Sequence, residues 1–337
     1  MADSAELIEA LDRRVRRRDE RREFFRHAMG VGALAAGGVA AMGFSTAARA
    51  QTAAPSDSDI LNLALNLEYL EAQFYQYAVS GEGLPASQLT GTGTQGAVTG
   101  GRKANLTDRT VIQYAREIAA DEVAHVAALR TALGSAAVAQ PAINISGAAG
   151  GPFTAAATAA GIDLSASGGV FDPYASDDNF LIGAYIFEDV GVTAYQGAAP
   201  LLTNVDIVDA AAGILAAEAF HAGIIRSALY ARGVATPALR TNADKISDAR
   251  DLLDGTRVSA GPPNIVADDD QGISPTTVNG QLQANIVPTD ANGRTFSRTS
   301  EQVHNIVYLT RSQATSGGFF PNGTNNPNAA LTRSGAN

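Results

Sequence analysis

Cysteine and tryptophan are absent from this 337-residue chain, and its three methionines, Met1, Met29 and Met42, all fall in the first fifty residues. Without cysteine there is no disulfide framework, no thiolate metal site and no cysteine nucleophile. Beyond residue 50 the chain therefore lacks three of the side chains most open to oxidation, which suits contact with peroxide. Compositional drift in an Ala/Gly-rich protein produces the same absence. Positive charge is scarce as well: 24 Lys and Arg face 34 Asp and Glu, for a net charge of −10 and a pI near 4.9. A chain so acidic offers no basic face for neutralising phosphates, which excludes a nucleic-acid binder. Its 45% hydrophobic content excludes a wholly disordered chain and is enough for one large domain or two ordinary ones.

Residues 1–50 read as a leader rather than as part of the fold. Arg21-Arg22 precede Phe24-Phe25, an Ala/Gly-rich apolar stretch runs from Ala28 to Phe44, and Ala48-Arg49-Ala50 closes the segment. Basic region, apolar region and A-x-A end make a secretory signal. The paired arginines resemble a bacterial twin-arginine signal, which implies export of an already folded protein, cleavage near Ala50 and a periplasmic or cell-surface destination. Seventeen residues so rich in Gly and Ala would make a poor membrane span, so the mature form is expected to have no membrane segment. Removing the leader leaves 15 basic and 27 acidic residues, a net of −12.

The remainder divides by texture into 51–233 and 234–337. The first part carries four long Ala/Leu-rich stretches with helical periodicity: Asp57 to Val79 with Ser56 as N-cap, about Thr107 to Leu133, Asp177 or Asp178 to about Ala199, and roughly Val205 to Ala231. A Gly/Thr-rich loop, Gly81 to Asn105, joins the first two. A longer Gly/Ala/Ser-rich connection, Gly134 to Ser176, joins the second and third. The third and fourth are nearly contiguous. A long crossover between two helical pairs suits a four-helix bundle whose middle connection runs the length of the bundle, although Gly/Ser composition equally describes a flexible linker. From Val234 the sequence is rich in Asn, Thr, Gly and Asp. It shows short helical patterns at Asp244 to Leu253 and Glu301 to Leu309, the latter with Thr299 and Gln302 as a capping box. Ile265-Val266 and Ile286-Val287 are expected to cover bundle surface as extended segments, and the tail as a whole to wrap the bundle or mediate assembly.

After the leader the chain has three histidines and eight glutamates. Two histidines sit in Glu-x-x-His on expected helices, Glu122–His125 and Glu218–His221. Residues three apart share a helix face, so each pair can reach one metal. A single such match is often only an exposed surface pair; two on separate helices are a strong signal. Ile118–Leu133 aligns without a gap on Ile214–Leu229 with seven identities in sixteen, including Arg130/Arg226. The other two helices echo one another more weakly: Glu68 precedes Tyr75 by seven residues, and Glu188 precedes Tyr195 by seven. The chain reads as a duplicated helix pair about a pseudo-twofold axis.

One Glu from each of two helices plus Glu-x-x-His from each of the other two resembles the dinuclear carboxylate centre of ferritin-like proteins. The order Glu68, Glu122/His125, Glu188, Glu218/His221 is similar to that of bacterioferritins, rubrerythrins and manganese catalases. The stretch Leu61-Asn-Leu-Ala-Leu-Asn-Leu-Glu-Tyr-Leu-Glu and the tail segment Gly293-Arg-Thr-Phe-Ser-Arg-Thr-Ser-Glu-Gln-Val resemble exported bacterial ferritin-like proteins related to the plant desiccation-related proteins. The resemblance implies an all-α fold, a ferritin-like four-helix bundle with a largely irregular C-terminal extension, holding two Fe or two Mn ions. It implies Glu122 and Glu218 as bridging ligands, Glu68 and Glu188 as terminal ones, and His125 and His221 one per metal. Glu71 competes with Glu68, and the Tyr at +7 favours Glu68. Tyr75 and Tyr195 are expected as hydrogen-bond partners of the ligands, as radical-prone neighbours of the metals or as plain core, and Arg130 and Arg226 as ion-pairing or helix-capping groups. Four carboxylates buried together repel, and two divalent cations offset them; imidazole with carboxylate suits Fe or Mn.

The expected partner is dioxygen or hydrogen peroxide, in ferroxidase-like or manganese-catalase-like chemistry, in oxidative or desiccation stress. The rival expectation is a structural or stress-protective envelope protein whose metal site only stabilises the fold. Iron storage is disfavoured because the tail would obstruct a cage; a homo-oligomer is compatible with the sequence, which does not fix the oligomeric state. Glu301-Gln-Val-His304 has no partner glutamate and reads as a capped helix packing on the bundle. Asp268-Asp269-Asp270 reads as a solvated loop or a loose calcium site.

Overall fold

The computed structural model describes residues 54–255 and 269–337. The expected leader, Asp268 and the Ile265-Val266 patch lie outside the described residues. Four long helices form the scaffold: α1 (Asp57–Ser80), α2 (Arg109–Leu133), α4 (Asp177–Ala198) and α5 (Val205–Arg232). A short helix α3 (Pro152–Ala159) lies in the crossover, and α6 (Ala238–Asp254) and α7 (Ser300–Val307) lie in the extension. The all-α bundle expected from the sequence is the observed fold.

Helix ends follow local chemistry. Ser56 and Asp59 form a reciprocal capping box at the start of α1, and Gly81 stops it in the left-handed region at φ 88°. Asp108 accepts from the amides of Thr110 and Val111, Ser176 from Asn179, and Asn204 from Asp206, so each remaining long helix also begins on a side-chain oxygen. The carboxylate of Asp57 accepts from the amides of Thr203 and Asn204, tying the start of α1 to the turn between α4 and α5.

The four helices are not equivalent. In α1 every residue from Ile60 to Tyr75 is buried, and in α4 every residue from Phe180 to Tyr195. α2 and α5 each keep one face in solvent. The difference comes from the connections, which cover α1 and α4. The two Gly-rich loops expected as separate connectors are zipped together, because β1 (Val98–Thr99) pairs in parallel with β2 (Ile143–Asn144). Glycine serves close approach here: a Cβ on Gly96 would stand 2.2 Å from the Ala142 nitrogen, and one on Gly100 would stand 2.4 Å from the Ser146 Cα. Helix α3, too short to show a period in the sequence, drives Phe153 into the core 5.4 Å from Phe74. Buried amides satisfy the covered helix: Asn62 takes the amide of Val138 and donates to the Ala136 carbonyl, and Asn66 exchanges bonds with the backbone of Asn325 in the tail.

The extension docks on the bundle and departs from expectation at four places. α6 begins six residues earlier than the pattern suggested, because Pro237 opens the helix rather than ending it. A β3–β4 hairpin, Thr276–Val278 with Gln281–Gln283, stands exposed. The Ile286-Val287 patch does not cover the bundle with its side chains: Val287 is 64% exposed, while the Ile286 carbonyl accepts from Arg226 at 2.6 Å. The acidic run is likewise corrected. Asp270 is buried, paired with Arg250 at 2.7 Å and Arg298 at 2.6 Å. Arg298 also binds Asp254 at 2.7 Å, and Arg250 and Arg226 both bind Asp189 of α4 at 2.8 Å. Three guanidiniums and three carboxylates thus bolt the tail to the bundle. Burial alone would raise the Asp270 pKa, but Arg250 and Arg298 outweigh it and hold the carboxylate low.

His304 is wholly buried in α7, with Nδ1 against the Ser300 carbonyl at 2.7 Å and Nε2 against the Thr324 hydroxyl at 3.0 Å. Its helix carries the expected Thr299/Gln302 capping box.

Two predictions follow from this docking. Arg298→Met removes the buried guanidinium that binds both Asp254 and Asp270 and should cost about 3–5 kcal/mol in denaturant unfolding. Burial lowers the His304 pKa to about 4 from an ordinary 6.5. The unfolded chain therefore binds a proton first, so the stabilisation is complete above about pH 6.5 and falls as the pH drops toward 4, by about 3 kcal/mol. Unfolding of wild type and His304→Gln across that window checks it; an unchanged slope in the variant would refute the assignment.

Candidate metal centre

The two Glu-x-x-His pairs meet at the middle of the bundle. His125 of α2 faces Glu218 of α5, and His221 of α5 faces Glu122 of α2, a crossed pairing that only antiparallel helices permit. Nδ1 of His125 stands 3.2 Å from Glu68 Oε2, 3.4 Å from Glu218 Oε1 and 3.6 Å from Glu122 Oε2. Nδ1 of His221 stands 3.1 Å from Glu122 Oε1 and 3.7 Å from Glu188 Oε2. Glu122 thus turns one oxygen toward each imidazole. Donor atoms of Glu68, Glu122, His125 and Glu218 all lie within 4.8 Å of one another, as do those of Glu122, Glu188 and His221.

These six side chains fit a metal pair on their own chemistry. All are buried, yet one oxygen of Glu68, both oxygens of Glu122 and of Glu218, one of Glu188 and Nδ1 of each histidine have no hydrogen-bond partner. Buried polar atoms are otherwise paired almost without exception in a folded protein, so this concentration of bare donors describes a cation cradle. Burial, then the charge of the neighbouring carboxylates, raises the pKa of Glu122 and Glu188 well above the ordinary range and brings Glu218 to about 8. Glu68 goes the other way, because the neighbouring His125 imidazole outweighs its burial. The same carboxylates raise the His125 pKa against the effect of burial.

The surrounding groups aim the donors. Tyr75 of α1 donates to Glu188 Oε1 of α4, and Tyr195 of α4 donates to Glu68 Oε1 of α1. The tyrosines therefore serve not the glutamate of their own helix but that of the opposite one, as the pseudo-twofold requires. Asp121, half-exposed on α2, accepts from Nε2 of His221 at 3.1 Å, which leaves the Nδ1 lone pair of that ring facing the box. Sequence reasoning missed Asp121, whose counterpart in the repeat is Ala217; no spacing rule marks it. Arg130 and Arg226 occupy matching positions with different partners: Arg130 donates to the Tyr69 hydroxyl and the Thr90 carbonyl, while Arg226 pairs with Asp189.

Glu71 is not among the clustered donors. It is buried beside Glu218, opposite Gly191, which takes the place of a second such carboxylate in the repeat. A Cβ on Gly191 would stand 2.5 Å from Glu218 Oε2 and 3.2 Å from Glu71 Oε1. Burial and the charges of Glu218 and Glu122 raise the Glu71 pKa well above the ordinary range.

Residues 56–231 match the ferritin-like domain family. The chain belongs to that family. It is 32% identical over 256 residues to a desiccation-related protein of Craterostigma plantagineum, covering 73% of this chain and 76% of the relative. It is also 29% identical over 279 residues to a ferritin-like catalase of Nesocodon mauritianus, covering 80% of this chain and 84% of that protein. Both alignments are longer than the ferritin-like domain itself, so the likeness reaches past the bundle.

Tyr75→Phe and Tyr195→Phe each leave one glutamate of the ferritin-like centre unaimed. Each should weaken metal retention by roughly 10–100-fold, read by chelator competition on otherwise folded protein. Affinities equal to wild type would show that the tyrosines are only core.

Proposed function

We propose that this ferritin-like chain holds two iron or manganese ions in the box of Glu68, Glu122, His125, Glu188, Glu218 and His221, and disproportionates hydrogen peroxide to water and dioxygen. The observation that carries this reading is the concentration of buried, unpartnered carboxylate and imidazole atoms at the centre of the bundle. A relative named as a catalase favours peroxide over ferroxidase chemistry with dioxygen. The bound metals would supply reversible electron exchange with the oxidant. Glu122, with one oxygen toward each imidazole, and Glu218 would bridge; Glu68 and Glu188, each held by a tyrosine, would be terminal. Glu71, buried beside Glu218, is the carboxylate next to the box and would serve as its proton carrier. The covered helices α1 and α4 keep bulk water from the box on their sides. An exported setting, with a leader ahead of residue 51 and oxidant-resistant composition after it, fits a role in oxidative or desiccation stress.

A second reading is favoured by the relative named as desiccation-related: a stress-protective protein in which the metal pair only holds the bundle together.

Elemental mass spectrometry of the protein from its native source should give about two Fe or Mn per chain, the number of half-boxes in the bundle. Such protein should evolve one dioxygen per two peroxides consumed, and Glu122→Ala/Glu218→Ala should lower turnover at least ~100-fold with the helical circular dichroism retained. Loss of fold together with turnover would favour the structural reading, and folded native protein without metal would sink both.

A further inference from the structure

Helix α5 has the wrong surface for a solvated helix. An 18-residue stretch of it has a mean hydropathy of 1.4, yet only 22% of that stretch is buried. Its inward face is spoken for by Glu218, His221, Ala222, Ile225 and Leu229. Outward, Ala212, Gly213, Ala216, Ala219 and Phe220 are all exposed, with Phe220 at 74%. Between Asp209 and Arg226 the only Asp, Glu, Lys or Arg is the buried Glu218. The neighbouring α2 continues the face with exposed Ala120, Ala124, Ala128 and Ala132, four residues apart and so in one row. A surface helix ordinarily turns charge to water, and a contiguous apolar face of this extent marks an interaction site. The crossover and tail cover α1 and α4 but leave this side bare.

We propose that the α2–α5 face is the contact surface of a twofold homodimer, in which α5 packs antiparallel on α5 of a second copy. Two features select a second copy as the occupant. The first is size: the 18-residue apolar stretch of α5 is about 27 Å long, and two helices at ordinary spacing give a width of about 20 Å, together about 540 Å² per copy and about 1,100 Å² across the pair, which clears the lower bound for a specific interface. The second is self-complementarity. Gly213 and Phe220 lie seven residues apart, on one face. With the twofold axis between Ala216 and Ala217, each Phe220 falls on the partner helix where Gly213 leaves open space, nothing lying within 4 Å of a Cβ built there. Ala212, Ala216 and Ala219 let the two backbones approach closely. The same register sets Asp209 opposite Ile224 and Asp206 opposite Ser227, so like charges do not meet. An anionic bilayer is a poorer occupant, since the charges beside the face are mixed, Arg116 against Glu117, Asp121 and Asp209, and form no basic cluster.

Light scattering behind size exclusion should give twice the chain mass for the purified protein at micromolar concentration. Phe220→Asp and Gly213→Asp should each give the single-chain mass with unchanged circular dichroism. Gly213 lies eight residues from His221, so its variant separates loss of the face from damage to the metal box beside Phe220. Because the chain has no cysteine, Ala216→Cys should give a disulfide-linked dimer on mild oxidation, whereas Thr241→Cys, exposed on α6, should not. A single-chain mass for the wild type at tens of micromolar, a dimer that survives both Asp substitutions, or a monomer that floats with phosphatidylcholine vesicles would each overturn the proposal.

Discussion

Mutual repulsion among buried carboxylates is the constraint on which the rest of this molecule turns. Glu68, Glu122, Glu188 and Glu218 sit within one small volume, with Glu71 beside them, and together with the two imidazoles they leave eight donor atoms without a hydrogen-bond partner. Such an arrangement persists only if cations or protons offset the charge and if the surrounding scaffold is rigid enough to hold the donors together. Both demands are visible in the fold. The pairs cross between antiparallel helices, so no single helix can relax without taking a donor from its neighbour, and Tyr75 and Tyr195 lock Glu188 and Glu68 from the opposite side.

The jacket answers the same demand. A bare four-helix bundle would leave α1 and α4 half in solvent, with water beside the carboxylates. Here the paired loops, Phe153 and the C-terminal extension close over them, and α1 is buried all round for sixteen residues. The jacket is itself attached by charge: Arg226 reaches from the bundle to the carbonyls of Gly272, Asn285 and Ile286, and Arg250 and Arg298 complete the pairing around Asp270. Arg130, in the corresponding place of the other half, ties down only the first loop. One repeat unit has thus been adapted to hold a loop and the other to hold a tail.

Departures from the pseudo-twofold fall beside the carboxylate box and on the outer surface. Glu71 has Gly191 as its counterpart, and the missing side chain is the room that Glu218 and Glu71 share. Asp121 has Ala217, so only His221 has its ring fixed by a carboxylate. On the outer surface, α5 carries Gly213 and Phe220 where α2 carries Glu117 and Ala124, which makes α5 the more apolar of the two bare helices. The metals would therefore lie in two halves of unequal surroundings beneath a face suited to a second copy.

The sequence by itself determined the elements whose cause is local. Helix ends follow from Ser56, Asp108, Ser176 and Asn204; the ligand helices follow from Glu-x-x-His at a one-turn spacing and from the ungapped repeat of 118–133 in 214–229. A period of 3.6 residues is enough to read which side chains share a face, so the six box residues and the tyrosines could all be named in advance. Tertiary structure alone decided which helix each tyrosine serves, that Asp121 orients His221, that Asp270 is a buried ion-pair partner rather than a solvated acid, and that Pro152–Ala159 supplies core. Those contacts join residues far apart in the chain, and neither periodicity nor composition carries the long-range geometry that brings them together. A charge run in a polar tail looks solvated until the guanidiniums that bury it are placed.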